Sequence, residues 1–312
     1  EMRCLVHYSD AQVVVIDEAL DDDAAEAARQ SAETAPLTQH RFDFAGRRFD
    51  KPGIAECDLD ALPAEHAATQ TLRGTIEPAV RRLVAEHLLG GSDEGRAPGI
   101  DARRHAAIKV QRNTGGAFPC HYDNAGRPSR RLVTAILYVN RGWRADDGGV
   151  LRLDPFLRRA LRIAPAWNRL VLFFSDLVLH SVEPWTTRRA PRFAISFWFD
   201  GTDGAVNAET ALTRDHLRFA SYDAAADFFA TSPLQRVVSR ACYEEEYLAS
   251  LEACGFGDDD HHQEGGDEES ALDVMRRAHA AAVADLRAKL RPLIDELRRR
   301  KAALPPPLEV FV

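Results

Sequence analysis

Along the first ninety residues the apolar positions change period twice. Ala11–Ile16 (AQVVVI), with its apolar run Val13–Ile16, reads as a strand. Asp21, Asp22 and Asp23 then supply N-cap chemistry to an alanine-rich stretch, which predicts a helix to about Thr34. Gln39–Gly53 is polar and turn-rich and reads as a hairpin or a mobile loop. Between Leu62 and Leu89 apolar residues return at helical spacing, Leu72, Ile76, Val80 and Leu83 among them, and Gly90-Gly91 ends the run. From His105 to Asp200 the texture differs. Ala106–Gln111, Arg131–Asn140, Gly149–Leu153, Arg169–Phe174, His180–Pro184 and Arg192–Phe199 are short β-rich runs separated by turn residues. That spacing predicts an all-β sandwich or barrel with the two helical segments packed outside it.

After Gly201 helical spacing resumes, at Tyr222–Phe229 and Leu234–Leu251. Gly257–Ser270 is acidic and almost free of apolar groups, and reads as a solvated linker. Val283, Leu286, Leu290, Leu293 and Leu297 form a heptad seam on a long helix that Pro292 should kink. The seam is expected to lie across the protein's own core, with self-association through it as the alternative. Pro305-Pro306-Pro307 reads as a disordered polyproline-type tail.

Composition narrows the function classes. Of 312 residues, 45% are hydrophobic and 28% charged, which excludes wholesale disorder. A net charge of −8 makes a nucleic-acid partner a poor expectation. The richest apolar stretch, Leu170–Leu179, is broken by Ser175 and Asp176, so no membrane partner is expected either. Five scattered cysteines without a CxxC suit reduced thiols, hence a cytoplasmic or nuclear setting. Nothing near the start reads as a signal peptide, and the chain opens on Glu1 rather than Met, as a fragment would.

Candidate chemistry concentrates in the middle segment. Residues i and i+2 of a strand share a face, so His121 and Asp123 can aim an imidazole nitrogen and a carboxylate oxygen at one point. His180 ends an apolar run far along the chain and needs the fold to deliver it. Two His and one carboxylate make a facial set suited to non-haem Fe(II), with the opposite face open for a bidentate co-substrate and O2. The pair alone is weak evidence, because a His in a β-rich core is usually a satisfied side chain.

Its neighbours strengthen it. In Arg192–Asp200 (RFAISFWFD) alternation puts Arg192, Ala194, Ser196 and Trp198 on one face and four apolar residues on the other. A guanidinium on a buried strand needs an anion, and no acidic residue shares that face until the strand ends. A bound carboxylate, gripped bidentately beside the small neighbours, would satisfy it. The ordinary alternative is an Arg at a strand entry reaching to water. Strand 131–140 repeats the design, with Thr134, Ile136, Tyr138 and Asn140 opposite a wholly apolar face. Tyr138 could donate to the carboxylate held by Arg192, or fill the core with its hydroxyl at the rim.

Residues 105–200 resemble the catalytic core of the 2-oxoglutarate- and Fe(II)-dependent dioxygenases, and within them the prolyl 4-hydroxylases of the hypoxia-inducible-factor type. The matching strings are HYDN (121–124), RLVTAILYVN (131–140), Trp143, DGGVLRL (147–153), NRLVLFFSD (168–176), His180 with Val182 and Pro184, and RFAISFWFD (192–200). They stand in the same order over about a third of the chain, and AQVVVIDEAL (11–20) resembles the family's usual opening. The resemblance implies a mainly β core folded as a double-stranded β-helix, or jelly roll. The N-terminal helices would flank it and a helical C-terminal extension would follow. It makes His121, Asp123 and His180 the metal ligands. Arg192, also counted as catalytic, would bind the distal carboxylate of 2-oxoglutarate with Tyr138 and Thr134 assisting. Ile136, Leu151, Val182 and Trp198 would line that pocket. The implied cofactors are Fe(II), 2-oxoglutarate and O2, with ascorbate as an accessory. The implied reaction hydroxylates a prolyl residue of a partner protein and releases succinate and CO2. Related halogenases carry a small residue in place of the carboxylate, so Asp123 favours hydroxylation.

Some positions depart from the family. The interval from His180 to Arg192 is longer than usual, through TTRRAP (186–191), which makes Arg188 and Arg189 rival anion binders. Gln111 stands where the oxygen-sensing enzymes carry a Tyr. Gln39–Lys51 occupies the place of a mobile substrate loop. The domain expectation is a dioxygenase domain over 1–204, with helical support at 20–90 and a jelly-roll core at 105–200. A helical region over 205–312 follows, containing the acidic linker 257–270. The competing functional readings are another 2-oxoglutarate oxygenase, such as a lysyl or other side-chain hydroxylase, and a non-catalytic jelly-roll binding or scaffold module.

Overall fold

An edge strand, β1 (Leu5–Ser9), pairs antiparallel with β2 (Val13–Asp17), whose VVVI run is buried on both faces and so shows no alternation. The computed structural model describes residues 4–44, 46–90, 99–124, 126–202, 211–213, 215–255 and 270–311. Asp21 accepts from the Ala24 N–H at 2.8 Å and opens α1 (Asp22–Thr34), a cap worth about 1 kcal/mol. The polar stretch after it is a hairpin, β3 (Thr38–Phe44) and β4 (Arg47–Asp58), rather than a loop. The helical run before Gly90 is uneven. Its pieces α2 (Ala67–Thr71) and α3 (Glu77–Leu83) alternate with wide π turns at Leu72–Ile76 and Val84–Leu88, and Gly90 ends it at φ +65°. The middle segment supplies β5 (Ala107–Asn113), β6 (Phe118–His121), β7 (Arg131–Tyr138), β8 (Leu151–Pro155), β9 (Leu161–Ile163), β10 (Arg169–Phe174), β11 (Val178–Val182) and β12 (Arg192–Asp200). Helices α4 (Tyr222–Thr231), α5 (Gln235–Cys242), α6 (Glu244–Glu252) and α7 (Ala271–Ala302) follow, then a last short strand, β13 (Leu308–Val310).

The strands form two facing sheets, ordered β1-β2-β10-β7-β12-β5-β4-β3 and β13-β9-β8-β11-β6, in the jelly roll that the resemblance implies. The alternation read in the sequence sorts side chains into layers. Val133, Ala135 and Leu137 of β7 and Phe193, Ile195, Phe197 and Phe199 of β12 face the N-terminal helices, packing on Ala25, Ala28, Leu72, Ile76 and Val80. Ile136, Tyr138, Leu151, Leu153, Phe173 and Ala194 fill the space between the sheets. Cys120, Phe156 and Leu179, on the outer face of the second sheet, share a third cluster with Phe229, Val238, Tyr247, Val283 and Leu297 of the later helices. Each fully buried apolar side chain contributes about 1.5–3 kcal/mol. A one-residue slip in β7 or β12 would turn the wholly apolar face toward the polar interior, so their register is strongly specified.

The C-terminal region meets the expectation for the α7 seam and departs from it at the triproline. The seam of α7 is occupied within the molecule: Val283 and Leu297 are buried, and Leu286, Leu290 and Leu293 pack partly buried on the same cluster. The seam is thus used within the molecule, as expected. Pro292 kinks the helix as expected, and Leu290 leaves helical geometry. The triproline does not begin a disordered tail. It leads directly into β13, which runs parallel to β9, and buried Arg169 donates to the Val310 and Phe311 carbonyls at 2.8 and 3.0 Å. The acidic stretch expected to be a linker lies outside the described residues except for Ser270, whose hydroxyl caps α7. Among the described residues no helix is long and apolar enough to cross a membrane.

His279 of α7 is buried in this helical layer, its ring stacked on Tyr247 with centroids 5.3 Å apart. Neither of its ring nitrogens bonds to a described residue. Burial, then the Arg240 charge, lowers its pKa from the ordinary value, with Glu244 opposing. The folded chain then binds fewer protons than the unfolded one, so the stability is present above the unfolded value of about 6.5 and is lost as pH falls below it. His279→Leu is expected to flatten the loss of melting temperature between about pH 7 and pH 5. Parallel slopes for variant and parent would contradict this.

Candidate metal centre

His121 is the last residue of β6 and stands directly opposite His180 on β11. Their rings lie 4.1 Å apart between centroids. Asp123 follows β6, and its carboxylate oxygens approach His121 Nε2 at 3.5 Å and His180 Nε2 at 3.7 Å. One ligand atom from each of the three falls within 4.8 Å of the others, close enough for a single ion to touch all three.

The surroundings leave the right lone pairs bare. His121 Nδ1 bonds the Pro119 carbonyl at 2.8 Å and His180 Nδ1 the Val178 carbonyl at 3.3 Å, which puts the ring proton on Nδ1 and the free lone pair on Nε2. Asp123 Oδ2 accepts from Trp198 Nε1 at 2.9 Å and from Thr134 Oγ1 at 2.7 Å, leaving Oδ1 for a metal. Thr134 in turn bonds Ser175 Oγ at 2.9 Å. Burial, then the neighbouring His121, lowers the His180 pKa to about 4, so this imidazole is neutral and able to ligate near neutral pH. Burial alone would raise the Asp123 pKa. The facing His180 and His121 and the Trp198 N–H outweigh it and hold the carboxyl well below its usual range. Two imidazole nitrogens and one ionised carboxylate, on one side of a shared point, fit an iron-type facial site.

Arg192 is the first residue of β12, and it is only 2% exposed. Its Nε donates to the Gly149 carbonyl at 3.0 Å and its Nη2 to the Tyr138 hydroxyl at 3.2 Å. Among the described residues no carboxylate pairs with it. Burial lowers its pKa, with Tyr138 opposing. Gly149 has to be glycine here: its φ is +65°, and an added Cβ would lie 2.8 Å from Arg192 Cδ. Ala194 and Ser196 separate Arg192 from Trp198 along the inner face, and Ile136, Leu151 and Val182 belong to the same inter-sheet cluster. A row of small and apolar side chains thus lies between a metal-type triad and a buried cation.

Not every expected role matches its position. The resemblance puts Thr134 beside Arg192; its hydroxyl is bonded to Asp123 instead, because β7 delivers only Tyr138 to the Arg192 end. Trp198, read as pocket lining, also supports Asp123. Of the rival arginines, Arg189 is paired with Asp147 and Arg188 is exposed, so Arg192 alone reaches the interior. Gln111 stands opposite Ala194 and its amide donates to Glu56 at 3.4 Å, which puts it on the inner face. Ser175, and the Tyr122–Gln235 contact behind the ligand strand, carry no signal in the sequence. They depend on which elements meet.

Comparison with known proteins agrees with this geometry. The model of the 2OG-Fe(II) oxygenase superfamily matches residues 107–200. Over 103 residues the chain is 36% identical to the hypoxia-inducible factor prolyl hydroxylase of Caenorhabditis elegans, covering 32% of this chain and 14% of that protein. The chain therefore spans only a small part of that relative's length. A crystal structure of a prolyl 4-hydroxylase from Phytophthora capsici superposes with a TM-score of 0.66 at 30% identity, covering 94% of this chain and 89% of the other. Similarity of that extent, over a site whose donor set suits the metal, places the chain in the 2OG-Fe(II) oxygenase superfamily.

Proposed function

We propose that the protein hydroxylates a prolyl residue of a partner protein, with Fe(II), 2-oxoglutarate and O2 as its co-reactants. The observation that carries this is an N,N,O triad and, across a row of small and apolar side chains, a buried cation that no carboxylate pairs with among the described residues. His121, Asp123 and His180 would hold the iron. Arg192 would grip the distal carboxylate of 2-oxoglutarate, with Tyr138 donating beside it. Iron with this co-substrate and O2 supplies the oxidising power to place a hydroxyl on an unactivated C–H bond, with succinate and CO2 released. The chain's own work is to orient both ends of the co-substrate and to keep water out, through Ile136, Leu151, Val182 and Ala194. Trp198 and Thr134 would keep the Asp123 carboxylate ionised and aimed. The prolyl assignment draws support from the names of the two relatives above. Ascorbate belongs in the assay as an accessory reductant. The five cysteines are all unpaired, which supports the cytosol or nucleus as its setting.

The test needs no knowledge of the partner. Anaerobic addition of Fe(II) and 2-oxoglutarate is expected to produce the visible charge-transfer band of chelated co-substrate. Admitting air with a proline-containing peptide library should then yield peptides heavier by one oxygen on proline. No band at high metal and co-substrate would defeat the enzymatic reading. A band with oxygen appearing on lysine or another side chain would defeat only the prolyl part.

A further inference from the structure

The segment Cys120–Asn124 alternates in a way the triad alone does not explain. His121 and Asp123 point between the sheets, while Cys120, Tyr122 and Asn124 are each held by the C-terminal helices. The Cys120 N–H donates to Ser250 Oγ on α6 at 2.9 Å. The Tyr122 hydroxyl donates to Gln235 Oε1 on α5 at 3.2 Å, and Gln235 is fully buried. Arg236, the next residue of α5, donates to the Asn124 carbonyl at 3.2 Å. Every residue that flanks a ligand in this segment is therefore tied to a helix more than a hundred positions away in the sequence.

The ligand strand needs such support. β6 is four residues long and lies at the sheet edge, its ladder to β11 is irregular between His180 and Val182, and Asp123 lies beyond its end. A short edge strand and the turn after it are where backbone position is least determined by the sheet itself. We infer that Gln235 and Arg236 are positioning residues for the metal centre: α5 sets the spacing of His121 and Asp123 by holding Tyr122 and Asn124 from behind. This rests on the triad reading above. The group acted on is a divalent cation, and the effect is on its affinity.

The test is titration of Mn(II) into the full chain, followed by the paramagnetic resonance of the free ion, beside melts of the metal-free protein. Tyr122→Phe with Gln235→Leu removes both partners of one buried bond, an exchange that leaves stability nearly unchanged. The double variant is expected to bind Mn(II) about 10-fold more weakly, the range known for outer-shell partners, with a near-parental melting temperature. Leu297→Ala, which loosens the same helical cluster without removing a hydrogen bond to the segment, is the control. It should lower the melting temperature and leave Mn(II) affinity unchanged. Parental affinity in the double variant, or an equal loss of affinity in Leu297→Ala, would overturn the inference. Should the double variant fail to fold, Arg236→Met decides on the same terms. A parent that binds no Mn(II) would overturn the triad reading and this inference with it.

Discussion

Arg192→Met is expected to separate stability from function in opposite directions. The wild-type guanidinium is buried with a carbonyl and a phenol as partners and no carboxylate among the described residues. Desolvating a charge without an opposite charge costs several kcal/mol, of which two hydrogen bonds return only part. Methionine fills similar volume without that penalty, although it leaves the Tyr138 hydroxyl without Arg192. The ligand-free variant should therefore be as stable as the parent or more so, by about 1–2 kcal/mol. Its affinity for 2-oxoglutarate should fall by about 3 kcal/mol, on the order of 100-fold, because a bidentate charge pair is lost from a buried site. Melting curves with and without 2-oxoglutarate and a metal read both effects. The co-substrate should raise the parent's melting temperature and not the variant's. A variant that is less stable, yet still shifted by 2-oxoglutarate, would mean that Arg192 is a structural residue and the anion binds elsewhere.

Asp123→Asn is expected to cost the metal while keeping the fold. The carboxylate accepts from Trp198 and Thr134 through Oδ2, and an amide oxygen can take over those two bonds. What it cannot supply is negative charge toward a cation flanked by two imidazoles. Loss of an outer-shell partner weakens metal binding 10- to 100-fold, so loss of a direct ligand should exceed about 100-fold. Asp123→Ala should also lower stability, since it leaves the Trp198 indole N–H without its acceptor, at about 1–3 kcal/mol, while the Thr134 hydroxyl keeps Ser175. Calorimetric Mn(II) titration of the two variants, read against their melting temperatures, distinguishes the contributions. Retained tight binding in Asp123→Asn would remove the carboxylate from the ligand set.

How much of this was legible in the sequence depended on how far each residue's role was local. β7 and β12 could be read with their faces assigned, because their two sides meet different layers and the period of two survives in composition. The helix at Asp22–Thr34 and the kink near Pro292 were legible because caps and proline act within a turn. β6 was not. Phe118–His121 is too short to show a period, and its outer neighbours come from α6 rather than from strands. β13 was hidden behind three prolines, because its partners, β9 and Arg169, lie far back in the chain.

The same division runs through the site. The faces on which Tyr138 and Trp198 lie follow from alternation alone, while His121, Asp123, His180 and Arg192 stand out only when residue type and alternation are joined to the family resemblance. Tertiary structure decided three further things. It put Thr134 on the Asp123 carboxylate rather than beside Arg192, because inner-face residues of β7 are spread along the strand and only Tyr138 lies at the Arg192 end. It paired Arg189 with Asp147 and left Arg192 as the buried one of the three candidate arginines. It also brought α5 and α6 against the back of the ligand segment. Each of these is a contact between segments distant in the chain, where a hydrogen bond of an ångström's tolerance is set by the packing of whole layers and leaves no periodic trace in the residues that make it.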